Sequence, residues 1–202
     1  QKDMFNKITD TFKSEDNLFD VEIKNMNTDQ IYTKDEDVDW KLFRESWENL
    51  KDTHDFFPLL KKFNLERQQA FKNIGPDFAY KVDNLSSKIM LELASEKNCE
   101  IMVFVANKGC IQIHTGPVEK LAEFGSWYNV LDPTFNLHLN TDGIACSWVT
   151  KKPTVDGIVT ALEVFDENGD LIVTFFGKRK PGIPELELWR EIIDLLPVTE
   201  NE

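Results

Sequence analysis

The sequence predicts an α+β fold in which a large antiparallel sheet, a meander of strands, is flanked by helices. Three observations carry this. Helical periodicity fills the first half to about Asn98, β-type segments joined by short turns fill most of the rest, and one amphipathic helix closes the chain. Strands joined by turns too short for a crossover pair antiparallel. Helices grouped ahead of a run of strands give α+β rather than alternating α/β.

Taken in order, "MFNKITDTF" (4–12) sets Phe5, Ile8 and Phe12 on one helical face. Residues 13–37 are acidic and polar around one apolar patch, "LFDVEI". They read as a strand or extended linker followed by a charged loop, "TKDEDVD". "WKLFRESWENL" is strongly amphipathic, with Trp40, Phe43, Trp47 and Leu50 in one stripe. Asp52 or Thr53 can cap the next helix, "HDFFPLLKKFNL". Pro58 requires that this helix start after Thr53 or that its first turn distort, because proline leaves the His54 carbonyl without its helical donor. Residues 65–81 continue as helix, and "SSKIMLELASEKN" is a further helix with a serine cap.

Beyond Asn98, "EIMVFVANKGCIQIHTG" is a hairpin about an Asn-Lys-Gly turn. "SWYNVLD", "FNLHLN", "IACSWVTKK", "GIVTALEVFD" and "LIVTFFGKR" follow as strands, the last two joined across Asp-Glu-Asn-Gly-Asp (166–170). "PELELWREIIDLL" is the closing helix, started by Pro184. It matches the first helix in length, polarity and spacing, which points to an internal duplication. Amphipathic helices are common, so spacing alone does not establish one.

The 202 residues allow one large domain or two small ones, and 41% hydrophobic residues with 15 Phe and 5 Trp supply a core with large planar surfaces to pack. A net charge of −13 argues against non-specific binding to nucleic acid or to an anionic membrane, whose phosphates it repels. Cys99, Cys110 and Cys146 are few, odd in number and not at zinc-type spacing, which fits a reducing compartment. No apolar run is long enough to span a bilayer, and the start has no signal-peptide pattern. The first residue is Gln1 rather than Met, as expected of a trimmed chain or a piece of a longer one.

Catalytic signatures are absent: no HExxH, no Gly-rich phosphate loop after a strand, no GxSxG. His114 and His138 sit in alternating strand patterns and read as partly buried strand histidines rather than ligands. His54 differs. It lies at a helix start, followed by Phe56, Phe57, Leu59 and Leu60, and a neutral imidazole against an apolar wall is what haem iron needs for axial ligation. On composition alone the plainer reading leads, in which His54 fills a first turn. Basic residues bunch in "LLKKF", at Arg67, in "VTKKPT" and in "GKRKPG". Such clusters suit an anionic group held locally, although most strand-end lysines are simply solvated.

"DTHDFFPLLKKFNLERQQAF", "EIMVFVANKGCIQIHTGPVEKL", "WYNVLDPTFNLHL", "WVTKKPTVDGIVTALEVFD" and "FFGKRKPG" resemble the C-terminal half of the HemS/ChuS/HmuS family of cytoplasmic hemin-degrading or haem-transport factors. Full-length members of that family are two tandem copies of one module. The resemblance implies that residues 1–36 are the last helix of a first repeat plus linker, and that 37–202 are the second repeat. It implies haem as ligand, with His54 as axial ligand, Arg67, Lys152 and Arg179 on the propionate side, and Phe104 near the porphyrin face. His138 matches a secondary ligand position and is the alternative. The family's distal arginine comes from the first copy, and Ala106 stands at the corresponding position here.

The function so implied is haem binding in haem utilisation, by trafficking, by oxidative degradation of a haem oxygenase type, or by both. The isolated half is expected to be weak or inactive as an enzyme. The other reading is a non-catalytic scaffold half that needs the N-terminal repeat to form the pocket. Implied partners are an electron donor or haem acceptor protein, and the N-terminal repeat or a second copy as homodimer. Neither nucleic acid nor membrane insertion is expected.

Overall fold

The computed structural model describes residues 2–15, 30–107 and 109–199. It divides into two compact units, residues 1–31 and 32–202. The described part of the first is helix α1 (Lys2–Phe12), on which Met4, Phe5, Ile8 and Phe12 are exposed. The expected strand or linker "LFDVEI" lies outside the described residues.

In the second unit a 3₁₀ turn (Asp35–Asp37), within the segment expected as a charged loop, leads into α2 (Trp40–Glu48), capped by Asp39 through the Leu42 N–H. After a 3₁₀ turn at Thr53–Asp55 come α3 (Phe56–Phe63) and α4 (Arg67–Ile74), then β1 (Ala79–Val82) and α5 (Ser86–Glu96). The strands follow: β2 (Ile101–Ala106), β3 (Ile111–Gly116), β4 (Leu121–Phe124), β5 (Trp127–Leu131), β6 (Asn136–Asn140), β7 (Cys146–Thr154), β8 (Gly157–Phe165) and β9 (Leu171–Gly177). Helix α6 (Glu187–Asp194) closes the fold.

Every strand pair is antiparallel. The large sheet runs β1-β7-β8-β9-β2-β3 and a second sheet runs β4-β5-β6. The meander β7-β8-β9 forms its centre. Adding the β2–β3 hairpin beside β9 puts residues far apart in sequence on one surface.

Each face of the large sheet buries its own core, because side chains alternate across a strand. On one face Val149, Leu162, Val164 and Phe175 pack with Met90 and Leu91 of α5, Trp189 and Ile192 of α6, and the smaller sheet's Tyr128 and Leu139. On the other, Trp148 and Phe165 pack with Phe43 and Trp47 of α2, Leu59 and Leu60 of α3, and Phe71 of α4. Trp47 also donates its indole N–H to the Lys151 carbonyl at 3.0 Å, tying α2 to β7.

Three boundaries differ from the sequence reading. Residues 65–81 are not one helix. α4 stops at Gly75, whose φ of 106° is open to glycine at little cost, and 79–82 pairs along β7, so tertiary pairing overrides local helical spacing. α5 has no serine cap. The Asp83 carboxylate accepts from the Leu85 N–H, while the hydroxyls of Ser86 and Ser87 are buried without a partner among the described residues. α6 begins at Glu187, after the extended residue Leu186, rather than at Pro184. Pro58 resolves as the first of its two options. The helix starts at Phe56, and proline occupies its first turn, where no intrahelical donor is required.

Candidate functional site

His54 sits on the 3₁₀ turn between α2 and α3. The Lys51 carbonyl accepts from the Val155 N–H at 3.0 Å, which fastens the approach to this turn to the β7–β8 hairpin. A reciprocal capping box then shapes it. Asp52 accepts from the His54 N–H at 2.8 Å, and Asp55 accepts from the Asp52 N–H at 3.0 Å. The same Asp52 oxygen lies 2.5 Å from His54 Nδ1. In a neutral ring the nitrogen bonded to a carboxylate carries the proton, which leaves Nε2 with the lone pair. The imidazole is 94% exposed. The two bonds from His54, backbone first and ring second, hold the Asp52 carboxyl below its ordinary range against a small opposing effect of burial, with the charge of Arg179 adding to them.

Strand β7, which this turn contacts, takes part in a buried charge network through Lys152. The Glu163 side chain is fully buried on β8. One of its oxygens accepts from Lys152 Nζ and from the Thr150 hydroxyl, each at 2.7 Å. The other accepts from Arg67 Nε at 2.7 Å and Nη2 at 2.6 Å. Burial alone would raise the Glu163 carboxyl, but the charges of Arg67 and Lys152 and the bonds from Lys152 and Thr150 outweigh it and hold the group at about 2. Lys152 moves opposite to an ordinary paired lysine. Burial lowers it, the like charge of Arg67 adds to that, and Glu163 only partly offsets both.

Aromatic rings line the network. The Arg67 guanidinium lies over Phe57 at 5.2 Å and Phe56 at 5.4 Å, and Lys152 Nζ lies over Phe56 at 4.6 Å. Phe56 and Phe71 stack with ring centroids 5.9 Å apart. Phe57, directly after this buried ring in α3, is exposed.

The sheet continues the wall. Register places Trp148, Glu163, Thr174, Phe104 and Ile113 in one row across β7, β8, β9, β2 and β3, all on the same face. Phe104 meets Phe176 edge-on at 5.3 Å. Ile111 and Ile113 are exposed further along that face. Arg179 follows β9. Its charge is felt by Asp52, and its Nη1 is buried with no hydrogen-bond partner among the described residues.

The structure thus joins Arg67 to Lys152 through Glu163 and sets Phe104 in Glu163's row, while Arg179 acts on the Asp52–His54 pair only through its charge. It does not bring in His138, which lies on β6 of the smaller sheet with Nδ1 2.7 Å from Asn129. His114 is likewise apart, stacked on Phe135 at 3.7 Å. Ala106 ends β2 and is exposed. Sequence reasoning missed Glu163, Phe176 and the second role of Asp52. The signal for Glu163 was a lone carboxylate inside the apolar run of "GIVTALEVFD".

This donor set fits a flat, iron-bearing ring with acidic substituents. It offers an exposed imidazole, an apolar wall, two cations on one carboxylate, and an arginine N–H that lacks an acceptor among the described residues. The model for the haemin-degrading HemS/ChuX domain matches residues 64–196. The chain belongs to the HemS/ChuX family. It is 48% identical over 147 residues to the hemin transport protein HmuS of Yersinia pestis, a match covering 73% of this chain and 43% of that protein. The hemin transport protein HemS of Yersinia enterocolitica matches to the same extent.

Among solved structures, holo-PhuS, a heme-binding protein from Pseudomonas aeruginosa, superposes with a TM-score of 0.93 at 41% identity, over 98% of this chain and 57% of that one. ChuS, an E. coli heme oxygenase, gives 0.84 at 40% identity, over 97% and 57%. The chain therefore spans about half the length of these family members. ChuX shares the fold alone, at 10% identity and a TM-score of 0.60, with 93% of its own chain covered. The HemS/ChuX match includes Arg67, Phe104, Lys152, Glu163 and Arg179 and begins past His54.

Proposed function

We propose that this chain binds haem in haem utilisation, with His54 Nε2 as the axial ligand to iron. The observation that carries the reading is the Asp52–His54 pair, in which an exposed imidazole is held by one nitrogen on a turn that contacts α3 and β7, the elements that carry Phe56, Phe57 and Lys152. A ligating histidine characteristically donates its other ring N–H to a carboxylate. Phe57, Phe104 and Phe176 cover the ring face, and apolar burial supplies most of the affinity. Arg179 and Arg67 take the propionates directly, and Lys152, itself buried, acts on them through its charge. His138, on the other sheet, is the alternative ligand.

Bound haem brings iron redox chemistry, for which an outside protein would supply electrons or accept the haem. This chain's residues bind, orient and shield the ring. We read 37–202 as one repeat and 1–36 as the closing helix and linker of another. We read its site of action as cytoplasmic, which the free thiols of Cys99, Cys110 and Cys146 support.

A second reading, a scaffold half that forms its pocket only with the other repeat or with a second copy, is favoured by Ala106, an exposed alanine where the family's other copy carries arginine. Haem titration separates the two. Wild type should give a Soret shift that His54→Ala abolishes and His138→Ala leaves intact. Equal titration of wild type and His54→Ala would remove His54 as ligand, and no shift without the other repeat would favour the scaffold.

A further inference from the structure

We propose that Glu163 is the positioning residue of the propionate subsite: it holds the Arg67 fork so that one guanidinium edge and one surplus positive charge face the ligand. The inference rests on the haem reading above and assigns a role to a residue that never touches the ring.

The geometry is specific. Glu163 spends both oxygens inward, one on Lys152 and Thr150, the other on Nε and Nη2 of Arg67. Nη1 of Arg67 stays outside this network. Counted formally, two cations share one anion and leave the cluster one positive charge. Lys152 is 5% exposed and Arg67 17% exposed, so the charge surfaces at Arg67. The three rings under the guanidinium restrict its swing. Glu163 also lies in the cross-strand row of Phe104, so the pairing that places the wall also places the anchor.

Stability alone is a poor account of this cluster. A buried ion pair is often matched or exceeded by apolar residues of similar volume, and here a second cation is added to a pair already neutral. An arginine held on two of its nitrogens loses less freedom when it binds a carboxylate with the third.

The test compares haem with iron protoporphyrin dimethyl ester, which keeps the ring and iron but lacks the propionate charges. Wild type should prefer haem by about tenfold or more, the scale of one charge-assisted bond. Glu163→Gln should bind the ester as wild type does, within about twofold, yet lose most of that preference. Arg67→Ala should lose it to the same extent, and the two together no further. Should Glu163→Gln fold poorly, Lys152→Met/Glu163→Gln removes the buried charges as a pair and should lower the preference as far as Arg67→Ala does, leaving the share that Arg179 supplies. Equal weakening of both ligands, or an unchanged preference in these variants, would overturn the role of Glu163. Failure of the haem reading shows separately, as no Soret shift in wild type or one indifferent to His54→Ala.

Discussion

One oxygen of Asp52 accepts both the backbone N–H of His54, at 2.8 Å, and its ring, at 2.5 Å. The backbone turn and the imidazole it presents are therefore aimed by a single atom. Asp52→Ala should leave His54 able to ligate but unaimed, weakening haem binding by about tenfold with the ligation spectrum retained. Titration followed at the Soret band checks this, and an unchanged affinity would show that the carboxylate is only a cap.

Glu163 predicts an acid limb in stability. Its carboxyl, ordinarily near 4.5, sits at about 2 in the folded chain. A depressed acid stabilises the fold above its unfolded value and loses that contribution as pH falls through the folded one. The loss should therefore run from about pH 4.5 down to 2 and reach about 3 kcal/mol. Urea unfolding across that range should show the slope, and Glu163→Gln should flatten it.

Phe71 stacks on Phe56, touches Trp47, Trp148 and Phe165 edge-on or tilted, and is almost wholly buried. Phe71→Ala opens a cavity at the platform beneath Arg67 and Lys152. It should cost about 3–5 kcal/mol in chemical unfolding.

Gly177, at the end of β9, has no room for a side chain. A Cβ there would lie 2.6 Å from Trp189 Cβ and Cγ. Gly177→Ala should push α6 off the sheet at a cost of about 1–3 kcal/mol, visible as a lower Tm. A Tm equal to wild type would mean that α6 accommodates the methyl without cost.

Much of this was legible because it is local. The Trp40–Phe43–Trp47–Leu50 stripe, the β2–β3 hairpin and the strand "GIVTALEVF" each announce their period within a few residues, and each formed as expected. Strand β1 was hidden because four residues gain their state from β7, 65 to 71 positions away. The Glu163–Phe104 row was hidden for the same reason, since register between β9 and β2 is a long-range property. Asp52 read correctly as a cap, but its second bond depends on a rotamer that periodicity does not carry.

Glu163 and Phe104 ride on interior strands of a six-stranded sheet, whereas His54 rides on a short 3₁₀ turn. The two should therefore open separately, with amide exchange slowest along β8 and β9 and fast at residues 52–55. Loading and unloading can then be separated in time from unfolding. If His54 ligates iron as proposed, opening of this turn would withdraw its nitrogen while the wall and its charges hold their shape, and the hand-over rate would be governed by the fraying of three residues rather than by the stability of the whole domain.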